Sequence, residues 1–96
     1  MELARPCPVN PLTQDLYIDF NLSDAASSVK FKVYTTGYRL IREVPLGAYP
    51  AGMQTGKVER NYLTGLSNGI YIYVIEAAYN DGTMKRGSLK EFILLK

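Results

Sequence analysis

The chain contains no histidine. That removes serine–histidine–aspartate and cysteine–histidine catalysis, and with them the commonest metal ligand. The single cysteine, Cys7, has no partner for an intrachain disulfide and no companion for a zinc site. It lies between Pro6 and Pro8 in a segment expected to be exposed and extended, and reads as an inert thiol. Carboxylates remain. Asp15 and Asp19 stand four apart, a spacing that could serve acid–base work but equally describes a solvated strand face, the plainer reading. Asn80-Asp81-Gly82 could offer oxygens to calcium, but calcium takes about six to eight, and the triplet reads more simply as a hairpin turn. Asn21-Leu22-Ser23 fits the N-glycosylation pattern, a triplet that recurs by chance. Neither G-x-x-x-x-G-K-[ST] nor G-x-G-x-x-G occurs. No catalytic, cofactor-binding or metal-ligating residue is therefore named, and the chain is expected not to be an enzyme.

Aromatic chemistry is richer. There are eight tyrosines against three phenylalanines and no tryptophan. Tyrosine suits half-buried strands, because its ring packs while its hydroxyl stays wet. Tyr17, Tyr34, Tyr38 and Tyr49 are expected to be exposed, as ordinary strand-surface residues or as a sugar- or protein-binding patch.

Ninety-six residues make one domain, able to bury roughly 60–65% of its unfolded surface. The net charge of +2 is small, and no run of Lys and Arg has the density of a phosphate-binding strip, so nucleic acid is not an expected partner. No apolar run approaches the ~18–20 residues of a membrane span. Residues 1–8 lack the apolar stretch of a signal peptide. A complete chain of this kind is cytoplasmic by default; as a piece of a longer protein it could have its signal upstream.

The elements that would hold these residues are strands. Residues 1–13 carry three of the five prolines and read as an extended lead-in, with a single domain over 14–96. Leu16, Ile18, Phe20 and Leu22 alternate with polar positions, as in a strand with one buried face. Residues 21–28 read as a polar turn. Val29, Phe31 and Val33 mark a second strand, Thr35-Thr36-Gly37 a turn, and Tyr38 to Val44 the return, ended by Pro45 and Gly47. A weaker strand is expected over 54–59, after an irregular Pro50-Ala51-Gly52 crossing. Residues 61–68 read as a connection. Ile70 to Tyr79 is apolar on both faces, as a central strand should be. Burying the unpaired carboxylate of Glu76 would be costly, so the core face is assigned to Tyr71, Tyr73, Ile75 and Ala77. A final strand is expected from Met84 to Leu95. Short strands with turn signals about every ten residues predict an all-β sandwich of six or seven antiparallel strands.

Several stretches resemble a known family. Pro6-Cys7-Pro8-Val9-Asn10-Pro11-Leu12-Thr13, followed by Ile18-Asp19-Phe20-Asn21-Leu22, resembles a P-N-P-F-N-P-x-T lead-in before an I-x-F-x-L strand. Val33-Tyr34-Thr35-Thr36-Gly37-Tyr38-Arg39-Leu40-Ile41-Arg42 is similar to V-Y-D-x-x-G-R-L-V-R. Ala51-Gly52, Leu66-Ser67-Asn68-Gly69-Ile70-Tyr71-Ile72-Tyr73 and Lys90-Glu91-Phe92-Ile93-Leu94-Leu95-Lys96 look like A-G, L-x-S-G-I-Y-x-Y and K-K-F-x-L-L-K. These belong to the immunoglobulin-like domains related to that of the flagellar hook-capping protein, which overlap with the C-terminal sorting domains of type IX secretion cargo. Cys7 and Val9 depart from the pattern. The W-D-G-x-(D/N)-x-x-G segment of the hook-capping branch is replaced by the shorter 57–64 stretch, which draws the match toward the sorting branch.

The resemblance covers residues 6–96. It implies a non-catalytic accessory or structural domain at the C-terminus of a longer exported bacterial protein, used for sorting, anchoring or spacing. The preceding domain and secretion or cell-surface machinery are its implied partners, in a secreted or cell-surface setting, with no cofactor. A second resemblance runs from Leu63 to Gly82 and is similar to the E–F corner and F–G hairpin of fibronectin type III domains. Tyr71 would then be the corner tyrosine, whose hydroxyl bonds back to the chain. This keeps open the alternative of a carbohydrate- or protein-binding module of fibronectin-III type.

Overall fold

A computed structural model describes residues 3–5 and 8–96. Eight strand segments follow in order: β1 (Leu3–Arg5), β2 (Leu16–Leu22), β3 (Ala26–Tyr34), β4 (Leu40–Tyr49), β5 (Gly52–Val58), β6 (Gly69–Tyr79), β7 (Met84–Arg86) and β8 (Lys90–Leu94). One turn of 3-10 helix, Arg60–Tyr62, interrupts the run between β5 and β6. One sheet has the order β1-β2-β5; the other has β4-β3-β6, with β7 and β8 both on the far side of β6. Every pairing between these strands is antiparallel. A single parallel bridge joins Val9 to Leu94, carried by Val9 N–H to the Ile93 carbonyl and Leu95 N–H to the Val9 carbonyl, each 2.9 Å. Among the described residues, β1 thus lies on one sheet and Val9 on the other.

The core fills the space between the sheets. The alternation of β2 puts Leu16, Ile18, Phe20 and Leu22 inside. From the facing sheet come Val29, Phe31, Val33, Tyr73, Ile75, Ala77, Phe92 and Leu94. Phe31, Tyr73 and Phe92 form an aromatic cluster with centroids 5.4 to 6.1 Å apart. The tyrosine side of β6 is therefore the core side, as expected, with Tyr71 and Tyr79 packed at its margins. Gly56 on β5 makes room inside: a Cβ there would lie 2.9 Å from Leu46 Cδ1 and 3.3 Å from Phe20 Cε1.

Glu76 is buried on the opposite side of β6. Its Oε2 accepts from Lys32 Nζ at 3.2 Å and lies 3.6 Å from Arg86 Nε. The carboxylate is thus buried with partners, under the stems of long side chains.

Four expectations about elements are corrected. Pro45 and Gly47 do not end β4; the strand continues to Tyr49. Strand β4 is an edge, so a residue lacking an amide donor is tolerated there. Leu46 is inserted as a bulge between the pairs Lys30↔Pro45 and Val29↔Gly47. The polar turn expected over 21–28 is only residues 23–25, because Asn21 and Leu22 belong to β2 and Ala26 to Ser28 to β3; Ser27 donates its hydroxyl to the Ala78 carbonyl at 3.0 Å. Only Pro50 and Ala51 separate β4 from β5, so the irregular crossing is a tight corner. The last strand is broken: β7 pairs with Glu76–Ala78, β8 with Gly69–Tyr73, and the register slips by one residue between them. Counted as one broken strand, β7 and β8 leave seven strand positions.

Candidate interaction surfaces

Tyr71 is placed as a corner tyrosine. It stands at the start of β6, and its hydroxyl donates to the Ser67 carbonyl at 2.6 Å. Its ring stacks on Phe92 with centroids 5.8 Å apart. The bond pins the connection from β5 to the central strand, a structural use.

The two aspartates considered for acid–base chemistry are engaged separately. Asp19 accepts a forked pair of bonds from Arg5, at 2.7 Å to Nε and 3.1 Å to Nη2, and a third from the Thr55 hydroxyl at 2.7 Å. It clasps β1 and β5 to β2, and these bonds, Arg5's first, hold its pKa below the usual carboxylate value. Asp15 accepts from the Arg60 amide at 2.9 Å, which lowers its pKa, and lies 3.6 Å from Lys57 Nζ. It ties the 3-10 turn to the entrance of β2. Asp81 is a turn residue: its Oδ1 accepts from the Thr83 hydroxyl at 2.6 Å and the Thr83 amide at 2.9 Å, and the hydroxyl contributes most to its lowered pKa. Among the described residues no three His, Cys, Asp or Glu side chains gather as a metal site. Cys7 lies outside the described residues.

The four tyrosines do not gather in one patch, in line with ordinary strand-surface residues; Tyr34 and Tyr49 are half-buried, which corrects their expected exposure. Tyr17 faces out from β2, on the β1-β2-β5 sheet. Tyr34 and Tyr38 belong to the β3–β4 hairpin of the other sheet. Tyr49 is half-buried, its ring edge-on to Phe20 at 5.2 Å.

Two surfaces escaped notice in the sequence. On the outer face of the larger sheet, Ile70 and Ile93 are cross-strand partners and both are exposed; Leu40, Tyr38 and Leu89 are exposed on the same sheet or its flanking loops. The second is a cleft of about 270 Å³ at the open side of the sandwich. Phe20, Asn21, Leu22 and Ser23 form one wall; Ile75, Ala77, Tyr79 and the β7 residues Lys85 and Arg86 form the other. Lys85 is in register with the inward Ala77, and its Nζ lies 5.9 Å from the Tyr79 ring centroid. The Asn80–Gly82 turn determines that register and was the available signal.

Strand order β1-β2-β5 against β4-β3-β6-β7/β8, with a corner tyrosine at the start of β6, defines an immunoglobulin/fibronectin-III-like sandwich. No protein-family model matches the sequence, and the search of curated proteins finds no match. Solved structures do match. FlgD from P. aeruginosa aligns with a TM-score of 0.66 at 18% identity, over 91% of this chain and 64% of that chain. Dimeric latent PorU from Porphyromonas gingivalis aligns with a TM-score of 0.69 at 19% identity, over 98% of this chain and 9% of that chain. The chain therefore spans less than two thirds of either protein. At these identities the likeness establishes the fold, and the expected relation to the immunoglobulin-like domains of both branches holds at that level.

Proposed function

We propose that this chain is a non-catalytic accessory module, the C-terminal domain of a longer exported bacterial protein, used for sorting, anchoring or spacing. The observation that carries this reading is one of proportion. The same fold takes up 98% of this chain but only 9% of PorU. FlgD is a hook-capping protein and PorU belongs to type IX secretion, which favours a secreted or surface setting. The non-catalytic part is supported by the dispersal of Asp15, Asp19 and Asp81, each engaged with its own structural partners.

Deleting residues 3–96 from the parent protein tests the reading. Expected are unchanged activity of the preceding domain and loss of export or surface attachment; unchanged export and attachment would refute it. Mass spectrometry of the exported parent separates the branches. A mature form that keeps Leu94-Leu95-Lys96 counts against a cleaved sorting signal and leaves anchoring or spacing. Of the binding alternatives, protein is favoured over carbohydrate, because Tyr17, Tyr34, Tyr38 and Tyr49 do not share a face.

A further inference from the structure

The larger sheet buries apolar residues on both of its faces. Ile72 and Val74 are buried, yet they alternate with the core-facing Tyr71, Tyr73 and Ile75 and stand outside the core cluster. Long side chains of the outer face cover them: Arg86 reaches the Tyr34 hydroxyl at 3.2 Å, and Lys32 meets Glu76. The register sorts this face into two bands. Toward the β3–β4 turn it is apolar. Ile70 pairs with Ile93, and Ile72 stands between Glu91 and Tyr34, itself paired with Leu40. Toward the β6–β7 turn it is charged. Lys32 pairs with Glu43, and Lys30 and Arg86 flank Glu76. A hollow of about 400 Å³ is lined by Ile72, Tyr38, Leu89 and the Lys90–Glu91 start of β8. Tyr38 is held beside it at φ 67°, a strained backbone that presents a ring to solvent. All of these residues are described, and β1 pairs on the other sheet.

We propose that this face binds a second copy of the chain, sheet face on sheet face, about a two-fold axis parallel to the strands. The bands select that axis. An axis across the strands would lay the charged band of one copy on the apolar band of the other, and bury charge unpaired. An axis along the strands keeps apolar on apolar and charged on charged. It also sets the β3–β4 half of each copy against the β6–β7–β8 half of the other. The first half carries Lys30, Lys32 and Glu43, an excess of one positive charge. The second carries Glu76, Glu91 and Arg86, an excess of one negative charge. Lys90 shares the parity of the core-facing Phe92 and Leu94, and Arg39 lies in the hairpin loop, so neither joins these rows. Opposite signs therefore meet twice, the self-complementarity that a two-fold contact requires. Tyr38 of each copy falls on the side of its partner's hollow. At ordinary strand spacings the face from Ile70 to Glu76, across β4, β3, β6 and β8, measures about 19 by 23 Å. Two such faces bury roughly 1,000 Å² in total once side-chain relief is counted, the low end for a specific contact. The proposal does not depend on the sorting role.

Sedimentation equilibrium of the full chain, from about 10 µM to about 1 mM, tests it. Expected is a monomer–dimer equilibrium with a dissociation constant of about 0.1 mM, with amide NMR shifts on β6 and β8 that grow with concentration. Lys30→Glu and Glu91→Lys should each weaken self-association about tenfold. Mixing the two variants should restore it, since each half then meets its opposite. Ile93→Ser changes no charge and should also weaken association while keeping a native spectrum. A chain still monomeric at about 1 mM overturns the proposal. So does association that shifts β2 and β5 instead, or a mixture no tighter than its components. If the chain alone stays monomeric but this face is protected from amide exchange in the longer parent, the preceding domain is the occupant, which also overturns it.

Discussion

Two hairpins of this protein share one pattern of loop hydrogen bonds and differ in the residue that fills its left-handed position. In the β3–β4 hairpin, Thr35 N–H donates to the Arg39 carbonyl and Tyr38 N–H to the Thr35 carbonyl, each at 2.9 Å. The β6–β7 hairpin repeats the pattern: Tyr79 N–H to the Thr83 carbonyl at 2.8 Å, and Gly82 N–H to the Tyr79 carbonyl at 3.1 Å. This loop ends in a left-handed residue. Gly82 fills that place with φ 89°, whereas Tyr38 fills it with φ 67°. A side chain there costs about 1–2 kcal/mol. Tyr38 is 65% exposed and recovers little by packing. Tyr38→Gly is therefore expected to stabilise the domain by about 1 kcal/mol, read as a rise in thermal midpoint; no rise would show that the exposed ring offsets the strain. The aspartates give a second expectation. The hydrogen bonds that Asp15, Asp19 and Asp81 accept hold all three below the ordinary carboxylate pKa. Their contribution is fully present above the unfolded carboxylate range and is lost as pH falls through the lower folded values. Thermal midpoints should be flat near neutrality and fall at acid pH. Asp19→Asn should flatten that fall and lower the plateau, because its bonds to Arg5 and Thr55 weaken; an unchanged acid limb would contradict the assignment.

At the scale of elements, the legible strands were those whose alternation matches one register. Strand β2 shows this: Leu16, Ile18, Phe20 and Leu22 share a parity and all face the core, and the strand runs on through Asn21 and Leu22, which the polar turn was expected to include. The last strand does not. Lys85 faces in at an odd position, whereas Phe92 and Leu94 face in at even ones. No unbroken strand satisfies both parities, so Gly87 to Leu89 absorb one extra residue. Gly87 N–H still donates to the Ile75 carbonyl at 2.8 Å, which keeps the break stitched to β6. Pattern reading misses such a slip, because its cause lies in the β6–β7 turn and the facing core together. The corner bond of Tyr71 was legible, since it depends on local spacing. The cleft was not, since its walls come from β2 on one sheet and from β6 and β7 on the other. The outer face of β6 carries a testable coupling. Lys32 and Glu76 have side chains 19% and 10% exposed and meet at 3.2 Å. Glu76→Leu alone should cost about 1–2 kcal/mol, by leaving Lys32 half-buried without its carboxylate. Adding Lys32→Met should restore most of the loss. Denaturant unfolding of the two single variants and the double variant measures this, and strictly additive losses would mean that the pair is not coupled.

At the scale of the molecule, the first and last segments close the same sandwich. The radius of gyration, 12.9 Å, is that of a compact domain of this length. Val9 is fully buried where it bridges β8, so this residue of the lead-in packs into the core. The other end is equally structural. Phe92 and Leu94 are fully buried, Phe92 within the aromatic cluster. Beyond them, Lys96 donates its amide to Asn68 Oδ1 at 2.9 Å and its ammonium to the Thr64 carbonyl at 2.6 Å. Losing a buried phenylalanine side chain alone costs about 3–5 kcal/mol. A domain of this length has about 5–14 kcal/mol in total. Removing residues 90–96 also strips the pairing of Gly69 to Tyr73 and opens both sheets to water. The 1–89 form is therefore expected to be unfolded, with collapsed amide dispersion. The 1–94 form gives up one bond to Val9 and the Lys96 contacts, about 1–3 kcal/mol, and should stay folded with a lower thermal midpoint. NMR dispersion and near-ultraviolet dichroism of the two forms decide the matter, and a native spectrum for 1–89 would show that the seventh strand position is dispensable. If it is not, a peptidase acting on the folded chain must spare this strand for the domain to stay folded.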